Sequence, residues 1–576
     1  MEVALIAVVA VVVLVGASIL GGRIGVAAPL VLVVTGIGVG YLPFVPLVEI
    51  TPEVILLGVL PPLLYAAAVN VPLVDFRRNL RPVVGLSVVL VIITAVVVGL
   101  VLHFAVPAIP LPVAIALGAV ISPTDAVAAT SIGKRLGMPD RVVAILEGES
   151  LVNDATSLVL LKTAITAVAG GFLFWDAAGS FAFSVTAAIV VGGLVGVVTV
   201  WIRSKLRNPV YDTMISFVVP FVSFIPAEAL HASGVLAVVV TGLYTGHHAS
   251  RRFSATARIN ERLNWRTVQF AMENGVFLVM GLQLHALVEH VDESPLRLEH
   301  IAIISLALVA VLIGCRALFM IPLIASMRGS LDRYEQRSNG LRRMARRARA
   351  GEHSDSRRAE RAERLAARTT ADLEHERSQR LGWRDGAVLS WSGMRGVVTL
   401  AAAQSIPVGV PYRAQVILIA FAVAVITLLL HGLTLPLVIR KLWPNGAGAG
   451  ASTAELAALK GDLLEAANSA IDDALANSEV GQPTVPAEVV ARARASAKNG
   501  LTPITLTHGA TGGLVLPSEE TPARAYIRLS RLALEAQRTA LLDERALGRY
   551  SSQALRAAEL ALDSHETRLT PPNSHA

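Results

Sequence analysis

The sequence predicts an all-α polytopic membrane protein, and three observations carry that prediction. Of 576 residues, 54% are hydrophobic and only 16% charged, with a mean hydropathy of +0.60, whereas soluble domains carry roughly a quarter charged residues. Apolar runs of about 18 to 25 residues, long enough to cross a hydrocarbon core of roughly 30 Å, recur until about residue 440. The loops between those runs alternate between basic and nearly uncharged.

Spans are expected near 2–20, 25–43, 53–70, 83–106, 113–133, 140–168, 180–202, 210–225, 228–247, 267–289, 299–326, 385–407 and 413–439, about thirteen in all. The first carries Glu2 as its only early charge, and a secretory signal needs a basic segment ahead of its apolar run, so it reads as a span. The eighth and ninth are divided only by Pro226 and Glu228. The fifth and twelfth are interrupted, by Pro123 and by Gly393 and Gly396. The eleventh holds the chain's one cysteine, Cys315, which has no partner for an internal disulfide and reads as a structural thiol.

Arg23, then Arg77, Arg78 and Arg81, then Lys134, Arg135 and Arg141, then Arg203, Lys205 and Arg207, and then Arg251 to Arg266 fall on one set of loops. The other set holds little beyond Arg297 and Arg413. Under the positive-inside rule this places the N-terminus outside and the C-terminus in the cytoplasm of a multi-pass plasma-membrane protein.

The membrane part should therefore run over 1–440, with a hydrophilic insertion at 328–384. Arg342, Arg343, Arg346, Arg347 and Arg349 cluster there and suit anionic lipid headgroups. A Gly/Ala linker at 441–451 leads to a cytoplasmic region at 452–576, with helices expected near 452–478, 486–499 and 519–564. In the last, Ala525, Leu529, Leu532, Leu534 and Leu541 form an apolar stripe. The tail carries no nucleotide-binding loop, metal-ligand spacing or nucleic-acid motif, so no enzymatic activity, cofactor or nucleic-acid partner is expected.

Gly148-Glu149-Ser150-Leu151-Val152-Asn153-Asp154 puts two carboxylates and an amide inside the sixth span. An acid at the centre of a spanning helix costs roughly 2.5 to 3.5 kcal/mol and by default lines a path or pairs with a cation. Ser150, Asn153, Asp154 and Ser157 recur at i, i+3, i+4 and i+7 and share one face. One span earlier, Ser122-Pro123-Thr124-Asp125 breaks a helix, and Trp391-Ser392-Gly393-Met394-Arg395-Gly396 breaks another. Counting spans one to six and eight to thirteen as repeats, both breaks fall in the fifth helix, as in inverted-repeat transporters with paired broken helices. Charge balance pairs Arg316 with Glu149 and Arg395 with Asp125, Arg395 also offsetting the carbonyl ends that the breaks expose, and leaves Asp154 without a fixed countercharge.

These motifs together resemble the monovalent cation/proton antiporter family, which includes bacterial and eukaryotic sodium/proton exchangers, over most of residues 1–440. The resemblance implies that Asp154 carries cation or proton with Asn153 beside it, and that Ser150 and Thr124 ligate the monovalent cation. It also implies the pairs Glu149 with Arg316 and Asp125 with Arg395, a homodimer, a core that moves against a dimerisation domain, and the electroneutral exchange of the Asn-Asp form. The chain departs from the family after Pro61-Pro62, where many members carry an acid and this one reads Leu63-Leu64-Tyr65-Ala66-Ala67. Lys162, two turns beyond Asp154, is a second oddity.

The expected function is exchange of a monovalent cation, Na⁺ foremost and K⁺ as the alternative, for H⁺ by competition at Asp154 with alternating access. A cation channel would use the same acids without proton coupling. An ion sensor with the insertion and tail as output modules is a third reading.

Overall fold

Helix is the only regular structure among the described residues, as lipid demands, since each backbone N–H and C=O there must be satisfied within its own segment. The computed structural model describes residues 2–24, 26–42, 51–168, 174–206, 208–289, 298–328, 365–373, 381–407, 409–444, 453–477, 485–501 and 522–569, with isolated positions between 335 and 377.

Each expected span falls on a helix or a helix pair. The chain begins with α1 (Glu2–Ile24) and α2 (Ala28–Gly40). A π-helical turn, Val54–Val59, leads into α3 (Leu60–Asn70), and the short α4 (Leu73–Arg78) follows. Next, α5 (Leu80–Val84) passes through a π-helical stretch into α6 (Leu90–Ala105). After α7 (Leu111–Ile121) and α8 (Ala126–Leu136) come α9 (Asp140–Val168), α10 (Phe174–Arg203) and α11 (Pro209–Ala229). The membrane part continues with α12 (Gly234–Arg252), α13 (Ala255–Glu289), α14 (Leu298–Arg328), α15 (Trp383–Trp391), α16 (Val397–Gln404) and α17 (Arg413–Leu442). Among the described residues, eight helical stretches are long and apolar enough to cross a membrane, and three shorter apolar ones coincide with the first three expected spans.

Two features of local chemistry place the breaks. Pro123 cannot donate a backbone hydrogen bond, so α7 stops at Ile121, and Asp125 restarts the chain as the N-cap of α8, its carboxylate accepting from the Val127 N–H at 2.8 Å. The split between α11 and α12 is similar: Ser233 caps α12 by accepting from the Leu236 N–H.

Two apolar clusters organise the bundle. The larger holds Leu117 of α7, Ala129 of α8, Leu308 of α14, Leu400 of α16 and Leu428 of α17. The smaller gathers Tyr65 of α3, Val219 of α11, Val238 of α12 and Trp265 of α13. Helix α9 belongs to both, with Ile145 and Leu161 in the first and Leu151 and Ala155 in the second.

At the basic end of the bundle Arg203 is fully enclosed by Asp212, at 2.8 and 2.9 Å, and by Glu261 at 2.6 Å. Beyond the membrane part, α18 (Thr453–Ala476), α19 (Ala487–Gly500), α20 (Pro522–Leu547) and α21 (Ser552–Leu569) pack around Leu463, Ile471, Ala493, Leu529, Leu555 and Leu562. The single helix expected over 519–564 is thus two. Gly548 ends the first with φ +70°, a left-handed conformation that stops a helix and that glycine adopts without steric cost.

Of the basic insertion, residues 365–373 are helical, and Asp372 takes an ion pair from Arg78 at 2.7 Å. Arg342 donates to the Thr370 hydroxyl at 2.9 Å. Arg346, Arg347, Arg349 and residues 445–451 of the expected linker lie outside the described residues.

Candidate functional site

The two breaks cross. The Asp125 N–H donates to the Met394 carbonyl at 2.8 Å, tying the start of α8 to the segment between α15 and α16. The contact is close because residue 396 is glycine: a Cβ there would stand 2.2 Å from Asp125 Oδ2. Against this crossing lies the polar face of α9.

Asn153, fully buried, donates from Nδ2 to the Thr124 carbonyl at 2.9 Å and to the Thr124 hydroxyl at 3.2 Å. It thereby satisfies a carbonyl that the break released from helical bonding. The Thr124 hydroxyl in turn donates to Glu149 Oε1 at 2.7 Å, and Ser150 Oγ accepts from the Ala126 N–H at 3.4 Å. Ser157, at the far end of the stripe, donates to the Ala119 carbonyl at 2.7 Å. Asn153 Oδ1 is buried with no hydrogen-bond partner among the described residues. Asp154 is 8% exposed, and no ion pair of 4 Å or less reaches it among the described residues.

The charge pairs divide. Arg316 grips Glu149 with both guanidinium arms, at 2.5 and 2.8 Å, and gives its Nε to the Leu389 carbonyl at 2.8 Å. The expected Asp125 with Arg395 pair does not form. Arg395 donates from Nε to the Ile121 carbonyl at 2.9 Å and from an arm to the Gly393 carbonyl, both of them ends left open by the breaks. Asp125 is occupied instead in capping α8. An arginine among freed carbonyls meets its hydrogen-bonding needs without a carboxylate, and that is the physical reason the pairing fails.

Lys162 is also resolved: its Nζ meets Glu228 of α11 at 2.8 Å, an ion pair between segments that sequence alone does not connect. Three other polar side chains of the spans are hydrogen-bonded within the bundle. His103 contacts the Ile109 carbonyl, His285 the Gly40 carbonyl, and Glu273 accepts from Gln269 at 2.7 Å.

A cavity of about 1080 Å³ reaches this site, with Thr124, Asp125, Ser150 and Asp154 on its wall. Glu273 shares that wall, as do Ser552, Gln553 and Arg556 of the tail. Sequence reasoning gave the tail no place near the site; the only available signal was the break at Gly548, which turns α21 back toward the bundle.

The arrangement offers the Asp154 carboxylate, the neutral side-chain oxygens of Thr124, Ser150 and Asn153 near the crossing, and an open cavity leading to it, which suits a hard monovalent cation or a proton. The family model "Sodium/hydrogen exchanger, transmembrane" matches residues 8–441. An uncharacterised Na⁺/H⁺ exchanger of Mycobacterium tuberculosis is 30% identical over 438 residues, covering 73% of this chain and 71% of that protein. A Na⁺/H⁺ antiporter of Aphanothece halophytica is 28% identical over 72% of this chain and 69% of its own length. A sodium, potassium, lithium and rubidium/H⁺ antiporter of Bacillus pumilus is 32% identical over 44% of this chain and 39% of its own length. The fold is similar to that of the sodium proton antiporter of Methanocaldococcus jannaschii, with a TM-score of 0.55 and 15% identity across 77% of this chain and 99% of the other.

Proposed function

We infer the function from one premise: the chain belongs to the sodium/hydrogen exchanger family. It is a multi-pass membrane antiporter that exchanges a monovalent cation for a proton. Asp154 is the group for which the two compete, with Thr124, Ser150 and Asn153 around it as the neutral oxygens that complete a cation's shell. The observation that carries this assignment is a buried carboxylate without a countercharge, beside an unpaired Asn153 Oδ1, on the wall of a cavity. A buried acceptor that lacks a donor is costly, and a bound cation would satisfy it.

The mechanism follows from charge. With a cation or a proton aboard, Asp154 is neutralised and the site can pass through a low-dielectric bundle; empty and ionised, it cannot without a large penalty. The α9 segment, packed into both apolar clusters, is the element across which the two halves shift. One cation then moves per proton, and exchange is electroneutral.

Na⁺ is the proposed substrate, with K⁺ retained because relatives include an antiporter named for sodium, potassium, lithium and rubidium, and because Ala66 replaces the family's acid after Pro61-Pro62. By the charge rule the basic end and the tail face the cytoplasm. The apolar outer faces of α1 and α10 suit lipid or the second subunit of a homodimer.

The deciding experiment imposes a pH gradient on liposomes holding the purified protein and adds Na⁺, K⁺ or Li⁺ with membrane potential clamped at zero. Collapse of the gradient by at least one cation, lost in Asp154→Asn, is the expected result. Equal exchange by Asp154→Asn would overturn the assignment.

A further inference from the structure

We propose that Glu273 of α13 is a second cation-holding carboxylate, a staging subsite that gathers a partly hydrated monovalent cation beside Asp154 and so raises the affinity from the cavity's side. This rests on the reading of Asp154 as the exchange site.

An acid inside a spanning helix is costly and by default lines a path or meets a cation. Glu273 lies within α13, half-buried, on the wall of the cavity that also carries Asp154. Among the described residues its side chain meets one neutral partner and no ion pair of 4 Å or less: Gln269 Nε2 donates to Glu273 Oε1 at 2.7 Å. Arg262 and Arg266 share this face of α13, but they lie eleven and seven residues earlier, about 16 and 10 Å of helix toward the basic end. Arg262 is drawn instead to Asp563 at 3.5 Å.

The other acids of the wall are engaged or lie at its mouth. Asp125 caps α8, Glu147 pairs with Lys134 at 2.6 Å, and Asp75 of α4 and Asp140 at the start of α9 stand at the basic end. Helix α3 contributes Leu63, Leu64 and Ala67 to the wall but no carboxylate. That leaves Glu273 and Asp154, two carboxylates inside spanning helices, each beside an amide and without a countercharge.

Their depths agree. Helices α9 and α13 both run inward from the basic end, where Asp154 lies fourteen residues, about 21 Å, past Asp140, and Glu273 fifteen residues, about 22 Å, past Arg258. Glu273 is also near enough to Asp125, at the crossing, for the two charges to interact. A cleft lined by one sign of charge raises the local counter-ion concentration by about tenfold or more. The free carboxylate oxygen of Glu273 and the Gln269 amide oxygen suit a hard monovalent cation, and a cavity of about 1080 Å³ leaves room for water ligands. The cation can therefore keep part of its hydration shell here and exchange it for protein oxygens at Asp154.

Two readouts in the full chain test this. Initial rates of exchange in inside-out and right-side-out vesicles give the half-saturating Na⁺ concentration from each side. Glu273→Gln should raise it at least fivefold from the cavity's side and less than twofold from the other. An unchanged value, or an equal rise from both sides, would overturn the subsite. The second readout needs no transport: it is the rise in unfolding midpoint of the purified protein when Na⁺ replaces choline at equal ionic strength. Asp154→Asn should keep a measurable part of that rise, and adding Glu273→Gln should abolish it. A double variant that keeps the rise would overturn the subsite, and so would its absence in Asp154→Asn alone, a result that needs no change at Glu273. Vesicles in which the wild-type chain exchanges no cation would count against the antiport reading instead, while the midpoints still decide the subsite.

Discussion

Arg316 and Glu149, 167 positions apart in the chain, meet as a two-armed pair with contacts of 2.5 and 2.8 Å, both side chains almost wholly enclosed. The Thr124 hydroxyl shares one of the same carboxylate oxygens. A structural ion pair is thereby wired to the break in α7–α8 and, through Thr124, to Asn153 on the face that carries Asp154.

Arg316→Ala should consequently cost about 3 to 5 kcal/mol, since it strands a buried carboxylate. Thermal unfolding of the purified protein checks this, with a clearly lowered midpoint expected. Neutralising both partners, as in Arg316→Met with Glu149→Gln, should restore most of the midpoint. A double variant as unstable as the single one would mean that the pair is not what stabilises this region.

Asn153→Ala should leave the fold largely intact while weakening cation binding. Two donations to Thr124 are lost, each worth about 0.5 to 1.5 kcal/mol net, and the Thr124 carbonyl and hydroxyl are no longer held in position. The half-saturating cation concentration for exchange should rise by about tenfold. An unchanged value would remove Asn153 from the site.

Gly396→Ala probes the crossing itself. The backbone at 396, with φ −120° and ψ −160°, is open to any residue, so the cost is steric alone. The added methyl would meet the Asp125 carboxylate at 2.2 Å, and that side chain is short and held by the Val127 N–H, while the Asp125 backbone N–H is held by the Met394 carbonyl. Exchange in proteoliposomes should drop at least tenfold; wild-type turnover would show that the crossing relaxes freely.

Proton and cation competing for one carboxylate fix the sign of the pH dependence. As the cytoplasmic-side pH falls through the range in which Asp154 takes up its proton, the apparent half-saturating cation concentration there should climb, approaching about tenfold per pH unit, with maximal turnover little changed. Measured initial rates at several cation concentrations would reveal a fall in the maximum instead if the two ligands bound at separate places.

The membrane helices and the polar stripe of α9 were legible because lipid imposes strict rules: long apolar runs must be helical, and a buried acid must have a reason. Glu149 with Arg316 followed from the same rule, since each was an unpaired charge deep in an apolar span. Arg395 followed it in part: its donors go to carbonyls that the breaks leave open at Ile121 and Gly393, as expected, but not to Asp125. Proline and glycine mark where carbonyls are freed, but whether the arginine also reaches the carboxylate depends on how two distant segments cross. The division of the last tail helix hinged on the single Gly548, hidden in an otherwise continuous helical pattern, and the meeting of Lys162 with Glu228 depends on packing that no spacing rule reports.

That last pair yields a prediction of its own. Lys162 lies eight residues beyond Asp154, about 12 Å along α9 and away from the basic end where that helix begins. Glu228 closes α11, and its second oxygen accepts from the Gly234 N–H at the start of α12. The ion pair therefore joins α9 to α11 at the end opposite the cavity's tail-lined wall, and separating those helices there must break it. Both side chains are substantially solvated, 63% and 34% exposed, so the pair is worth at most about 1 kcal/mol. Lys162→Ala should leave the unfolding midpoint nearly unchanged but raise the population open at that end by up to about fivefold. A cysteine introduced at Thr166, one turn beyond Lys162 and exposed, gives a neutral control for labelling that end. Against it, the half-saturating cation concentration measured from that side should fall in the variant. If it does not move, and 0.5 M salt leaves wild-type and variant equally unaffected, the pair is a surface contact with no part in the cycle.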